Sequence, residues 1–164
     1  LCTGSGCLPI MLADAFENAQ VDAVDISKEA LEVARKNVAT YELEDRITLI
    51  ESDLYSNVPD KLYDMIITNP PYVNSNSMSK LPKEYLHEPQ IALAGGDDGM
   101  DLVRKIVAGA ASRLKPNGIL MVEIGNERVF ADEAFAEYGL TWLSTSAGDD
   151  MVFMLTAEQL QEGN

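Results

Sequence analysis

The amino-acid sequence predicts an α/β domain whose sheet is covered by helices on both faces. Three observations carry that expectation. Short β-branched and apolar runs alternate with stretches of helical period along the 164 residues. Several of those runs stop abruptly at a polar residue, as at Asp25, Ser52-Asp53 and Asn69. One run, Ile119-Leu120-Met121-Val122-Glu123-Ile124, is apolar almost without interruption, the pattern of a central strand covered on both sides.

In chain order, Leu1-Cys2-Thr3-Gly4-Ser5-Gly6-Cys7 reads as a turn between a strand and a helix, where glycine permits tight dihedrals and lets backbone approach a ligand. An α/β domain is not expected to begin at such a turn, so a strand is expected upstream of Leu1. Leu8 to Phe16 suits a helix, with Pro9 near its first turn. Val21 to Asp25 is expected as a strand ending in a carboxylate. Asp25 lies 19 positions after Gly6, near the spacing of about 20 that places an acid against ribose hydroxyls. Helix capping is the other role for it, and Ser27 is available for that.

Lys28 to Val38 puts Leu31, Ala34 and Val38 on one face of an amphipathic helix. Arg46 to Glu51 is the next predicted strand. It ends at Ser52-Asp53-Leu54-Tyr55, where an acid can accept from an adenine amino group and Leu54 can line the ring; an ordinary loop is the alternative.

The run Tyr63 to Ile67 reads as a buried strand that stops at Thr68-Asn69-Pro70-Pro71-Tyr72. Proline donates nothing to a ladder and restricts the residue before it, so Asn69 is expected to be extended at the carboxyl edge of the sheet, where α/β proteins bind ligands. An Asn amide and the neighbouring carbonyl can together accept both hydrogens of a planar NH2 group, while Tyr72 covers its face. A plain loop is the alternative, since Asn-Pro and Pro-Pro are common turn signals.

Val73 to Asp98 lacks clear periodicity, but its Leu81, Tyr85, Leu86, Ile91 and Leu93 predict an ordered lid. His87 is expected to make structural hydrogen bonds and Glu88 to anchor the lid. A helix from Met100 to Leu114 follows, capped by Asp98 and ended by Lys115-Pro116-Asn117-Gly118. After the apolar run come a short helix near Glu127 to Glu137, a strand near Leu140 to Thr145 and a last strand near Met151 to Thr156, with Asp149-Asp150 turning into it.

With 46% hydrophobic residues the chain suits one globular domain. Nothing resembles a signal peptide or a run of about eighteen apolar residues, which predicts a soluble, cytoplasmic protein with no membrane partner. Cys2 and Cys7 lack a metal-type partner set and are expected as free thiols, with no metal site. The net charge of -15 opposes docking on a phosphate backbone and accommodates a basic partner. Between Val129 and Asn164 there are seven carboxylates and no Lys or Arg, a solvated acidic face.

With these residues placed, the chain resembles class I S-adenosylmethionine-dependent methyltransferases, specifically the protein-glutamine methyltransferases that modify translation proteins. The resemblance rests on Leu1 to Cys7, Asp25-Ile26-Ser27, Ser52-Asp53-Leu54, Asn69-Pro70-Pro71-Tyr72 and Glu88-Pro89-Gln90-Ile91-Ala92-Leu93. Together with Leu81 to His87 and Phe153 to Gln159 it looks most like the branch acting on large-subunit ribosomal protein three. It implies a Rossmann-like parallel sheet with an antiparallel last strand and a truncated first strand, leaving a gap or stub at the centre. Residues 1–164 would be the catalytic domain, with an amino-terminal recognition domain upstream. Cys2 departs from the resemblance, standing where many relatives have glycine.

By the same resemblance Thr3, Gly4 and Gly6 would wrap S-adenosylmethionine, Asp25 and Ile26 would meet its ribose end, and Asp53 and Leu54 its adenine. Asn69 would border the cofactor and, with the Pro70 carbonyl, accept the N–H bonds of a substrate glutamine. Pro71 and Tyr72 would complete that substrate pocket, with Tyr72 against the amide plane. The product would be S-adenosylhomocysteine and the partner a basic, ribosomal protein, with no sequence-specific nucleic-acid binding. A release-factor glutamine methyltransferase, a nucleic-acid amino methyltransferase and a non-catalytic binding fragment are the alternatives.

Overall fold

The computed structural model describes residues 1–73, 96–146 and 148–163. The chain divides into two compact units, Leu1–Asp60 and Lys61–Asn164. The expected lid, with His87 and Glu88, lies for the most part outside the described residues.

The first unit alternates helix and strand: α1 (Cys7–Ala15), β1 (Val21–Asp25), α2 (Lys28–Thr40) and β2 (Ile47–Glu51). β1 and β2 pair in parallel, Val21 opposite Ile47 through Asp25 opposite Glu51. Ala13, Ala23, Val38 and Ile47 form the buried cluster, with Ile10, Val21, Leu43 and Leu49 packed against it. α2 starts where expected because the Ser27 hydroxyl accepts from Ala30 N at 3.1 Å, satisfying one of the N–H groups a helix start leaves over. It buries Leu31, Ala34 and Val38, the predicted face. The end of α1 is closed from a distance: the Arg46 guanidinium donates to the carbonyls of Ala13 at 2.8 Å and Phe16 at 2.6 Å. A helix end leaves carbonyls such as that of Ala13 without an intrahelical partner, and the Phe16 carbonyl also accepts from Ala19 N at 2.9 Å.

The second unit holds β3 (Tyr63–Thr68), α3 (Asp101–Ala110), β4 (Leu114–Glu123), α4 (Arg128–Ala134), a single 3-10 turn (Ala136–Tyr138), β5 (Thr141–Thr145), β6 (Gly148–Thr156) and α5 (Ala157–Glu162). Its sheet order is β3-β4-β6-β5. β3 runs parallel to β4, and β6 runs antiparallel to both β4 and β5, as expected of the last strand. The strands thus belong to two hydrogen-bonded sheets, one in each unit. Beside β1, Thr3 N of the glycine turn donates to Val24 O at 3.0 Å.

Three expectations are corrected. The helix begun near Met100 ends at Ala110, and Lys115-Pro116-Asn117-Gly118 lies within β4. The register steps from Tyr63 opposite Leu114 to Met65 opposite Ile119, so these four residues form a bulge. A bulge is one of the few places a sheet accepts proline. Asn117 takes a left-handed φ of 63°, and a Cβ on Gly118 would lie 2.8 Å from the Lys115 carbonyl. Asp149 and Asp150 sit inside β6, which begins at Gly148. The chain also ends in a helix that was not expected, α5, with the Thr156 hydroxyl accepting from Gln159 N at 3.2 Å and the Gln159 side chain accepting from Thr156 N at 2.9 Å. It buries Ala157 and Leu160.

Candidate functional site

At the carboxyl end of β1, Asp25 organises the glycine turn. Its Oδ2 accepts from Gly4 N at 2.7 Å and its Oδ1 from Ser27 N at 2.9 Å. Hydrogen bonds to a carboxylate are stronger than neutral ones, and each oxygen keeps a second lone-pair direction for a hydroxyl. The turn itself is closed by Gly6 N donating to Thr3 O at 3.1 Å. Gly4 has φ +57° with nothing within 4 Å of an added Cβ, so its face is open. Gly6 has φ +86°, and a Cβ there would lie 3.1 Å from Ala34 Cβ. Cys2, the departure from glycine, has φ 54° and so carries the backbone strain that glycine would avoid.

The end of β2 lies beside that of β1, with Ser52 N donating to Asp25 O at 2.9 Å. Ser52 is buried and its hydroxyl accepts from Asn57 N at 2.8 Å. That bond fixes the loop from which Asp53 projects into solvent. Leu54 has φ 47°, an unusual conformation for a bulky residue and one that clusters at functional sites. Ile26 is exposed, an apolar side chain displayed between Asp25 and the start of α2. Thr3, Gly4, Gly6, Asp25, Ile26, Asp53 and Leu54 therefore share one edge of the first unit.

The second unit builds its own corner at the end of β3. Thr68 and Pro70 are fully buried while Asn69 between them is exposed. Burial on both sides and proline immediately after leave the Asn69 side chain little backbone freedom. Thr68 lies opposite Val122 of β4, and the corner reaches the residues that follow β4. There Gly125, at φ +54°, approaches the Tyr72 ring so closely that a Cβ would lie 2.6 Å from Cε2.

Two contributors were not found from the sequence. Asn37, on α2, donates from its side-chain amide to Ser5 O at 2.8 Å and so ties the glycine turn to the helix. Nothing in its local pattern signals a contact 32 residues away. Gly125 follows a strand, where glycine marks a turn, but its contact with Tyr72 depends on the pairing of β3 with β4. Among the described residues, no group of three or more His, Cys, Asp and Glu could hold a metal ion, and no helix is long and apolar enough to cross a membrane.

A family model described as "Methyltransferase small domain" matches residues 1–96. The ribosomal protein uL3 glutamine methyltransferase of Bordetella pertussis is 54% identical over 160 residues, covering 98% of this chain and 54% of that protein. The protein of the same description from Bradyrhizobium diazoefficiens is 51% identical, covering 98% and 50%. The chain spans about half the length of the curated relatives it matches. Among solved structures, a methyltransferase of Pyrococcus furiosus is similar with a TM-score of 0.63 at 17% identity, covering 94% of this chain and 71% of that one. The ribosomal protein L11 methylase of Lactobacillus delbrueckii subsp. bulgaricus has a TM-score of 0.62 at 22% identity, covering 94% and 65%.

Proposed function

The chain belongs to the methyltransferase small domain family, and from that premise we propose that it transfers a methyl group from S-adenosylmethionine to the side-chain amide nitrogen of a glutamine in ribosomal protein uL3. The observation that carries this reading is the 54% identity, over 98% of the chain, to a uL3 glutamine methyltransferase. Residues 1–164 act as the catalytic domain, working in the cytoplasm on a basic ribosomal protein, and the net charge of -15 favours such a partner over nucleic acid.

S-adenosylmethionine supplies an electrophilic methyl on a sulfonium and leaves as S-adenosylhomocysteine. Thr3, Gly4 and Gly6 receive it on the open face of the glycine turn. Asp25 and Ile26 serve its ribose end, and Asp53 and Leu54 its adenine. Both Asp25 oxygens already hold backbone N–H groups, so the carboxylate is fixed before the ligand arrives.

An amide nitrogen is a poor nucleophile because its lone pair is delocalised into the carbonyl. Asn69 Oδ1 and the Pro70 carbonyl accept its two N–H bonds, which favours donation from nitrogen and holds it in line for displacement. Tyr72 packs on the amide plane. As the new N–C bond forms the S–C bond breaks, and the alkylated nitrogen then loses one proton to solvent.

The test is incubation of the full-length protein with methyl-labelled S-adenosylmethionine and separate fractions of uL3, release factor and ribosomal RNA. Label is expected in uL3, on a glutamine located by mass spectrometry. Label in release factor or RNA alone, or in none, would overturn the reading.

A further inference from the structure

We propose that Gly125 is a positioning residue for the acceptor corner: the space left by its missing side chain seats the Tyr72 ring. This rests on the functional reading above for its consequence, though not for its geometry. A Cβ on Gly125 would lie 2.6, 2.9 and 3.0 Å from Cε2, Cζ and Oη of Tyr72. Carbon atoms rest about 3.5–4 Å apart, so any side chain at 125 drives the ring about 1 Å from its seat. The backbone cannot follow easily. Pro70 is fully buried, and consecutive prolines fix the dihedrals leading into Tyr72. The ring instead turns about its own side-chain bonds, away from the plane it offers to a substrate amide.

The contact follows from the topology. β3 and β4 run parallel with Thr68 opposite Val122, so the residues leaving the two strands emerge side by side. Gly125 is the wall that the neighbouring strand presents to the corner. Gly139 offers a matched control: its φ is +64°, and the nearest atom to a Cβ there is Gln159 Nε2 at 4.0 Å. Alanine at either position carries similar backbone strain, but only at 125 does it meet a ring.

The experiment places 3-fluorotyrosine at position 72 of the full-length protein and compares wild type, Gly125→Ala and Gly139→Ala by fluorine NMR and by single-turnover methyl transfer to uL3. The fluorine resonance is expected to move in Gly125→Ala and to stay in Gly139→Ala. Transfer is expected to fall about tenfold to a hundredfold in Gly125→Ala, the scale of a 1 Å misplacement. In a Tyr72→Ala background, Gly125→Ala should cost less than about twofold more, because coupled residues are not additive. An unmoved resonance, or the same proportional loss with and without the Tyr72 ring, would overturn the proposal. Should Gly125→Ala fail to fold, the double variant lacking the ring is expected to recover the fold, and its failure to do so would also overturn it. If wild type methylates no glutamine, the functional reading falls, while the fluorine resonance still decides the contact.

Discussion

The two carboxyl edges of this protein are held by different physics. In the first unit, the edge is tied by directional polar bonds: Asp25 with Gly4 and Ser27, Asn37 with Ser5 of the glycine turn, and Ser52 with Asn57 in the loop after β2. In the second, the Asn69 corner is shaped by steric exclusion, with buried Thr68 and Pro70 on either side and Gly125 against Tyr72. Hydrogen bonds that prepare a polar cradle suit a ligand rich in hydroxyls and charge. Excluded volume suits a flat, neutral amide, whose recognition depends on where a plane and two acceptors stand.

The largest effect is expected at the second edge. Asn69→Ala removes the proposed acceptor for the substrate amide without touching the buried residues beside it. Single-turnover transfer should fall roughly a hundredfold to a thousandfold, about 2.7–4 kcal/mol if it resembles losing one oxyanion-hole donor. A normal melting temperature would confine that loss to the chemistry, whereas near-normal turnover would remove Asn69 from it. Gly6→Ala tests the first edge by the other kind of force. It forces a side chain into φ +86° against Ala34 and should cost about 1–3 kcal/mol of stability in urea unfolding. No loss would mean that the turn adjusts freely.

Much of this was legible in the sequence where the cause is local. Ser27 caps α2 and Leu31, Ala34 and Val38 are buried because helix periodicity and capping are read within a few residues. Asp25 was placed by spacing alone, but its bond to Gly4 was not foreseen, since ribose binding and turn bracing call for the same carboxylate at the same place. Lys115 to Gly118 misled because proline, asparagine and glycine end helices and make bulges alike. Only the pairing with β3 decides between them. α5 carries a local signal, the Thr156-x-x-Gln159 capping signature. Asn37 and Gly125 had no local signal, because each acts across a tertiary contact.

Asn37→Ala sharpens the comparison at a smaller scale. Losing its bond to Ser5 should cost about 1 kcal/mol, seen as a several-fold weaker affinity for S-adenosylmethionine with the single-turnover rate at saturation unchanged. A loss in rate instead would show that the brace also serves the acceptor corner.

The smallest effect belongs to an ion pair of the second unit, Arg104 with Asp98. The Arg104 guanidinium beside Asp98 holds its carboxyl below the ordinary carboxylate range, helped by the Met100 N–H. The folded-state pKa lies below the unfolded one, so the stabilisation is present above the ordinary value of about 3.9 and fades as pH falls through the folded value. Partial exposure keeps it to less than about 1 kcal/mol. The stability gap between wild type and Asp98→Asn in urea should therefore narrow from pH 7 to pH 3, with cofactor affinity equal at pH 7. A gap that widens on acidification would reverse the assignment.

The division of labour between the two edges is tested most directly by calorimetric titration of S-adenosylmethionine into Asp25→Ala and Asn69→Ala proteins prepared side by side. Asp25→Ala should bind more weakly by about 1.5–3 kcal/mol, the loss of hydrogen bonds to a charged group, or roughly tenfold to a hundredfold and more. Asn69→Ala should stay within about twofold of wild type. Equal weakening in the two variants, or unchanged affinity in Asp25→Ala, would contradict the separation of cofactor binding from acceptor placement.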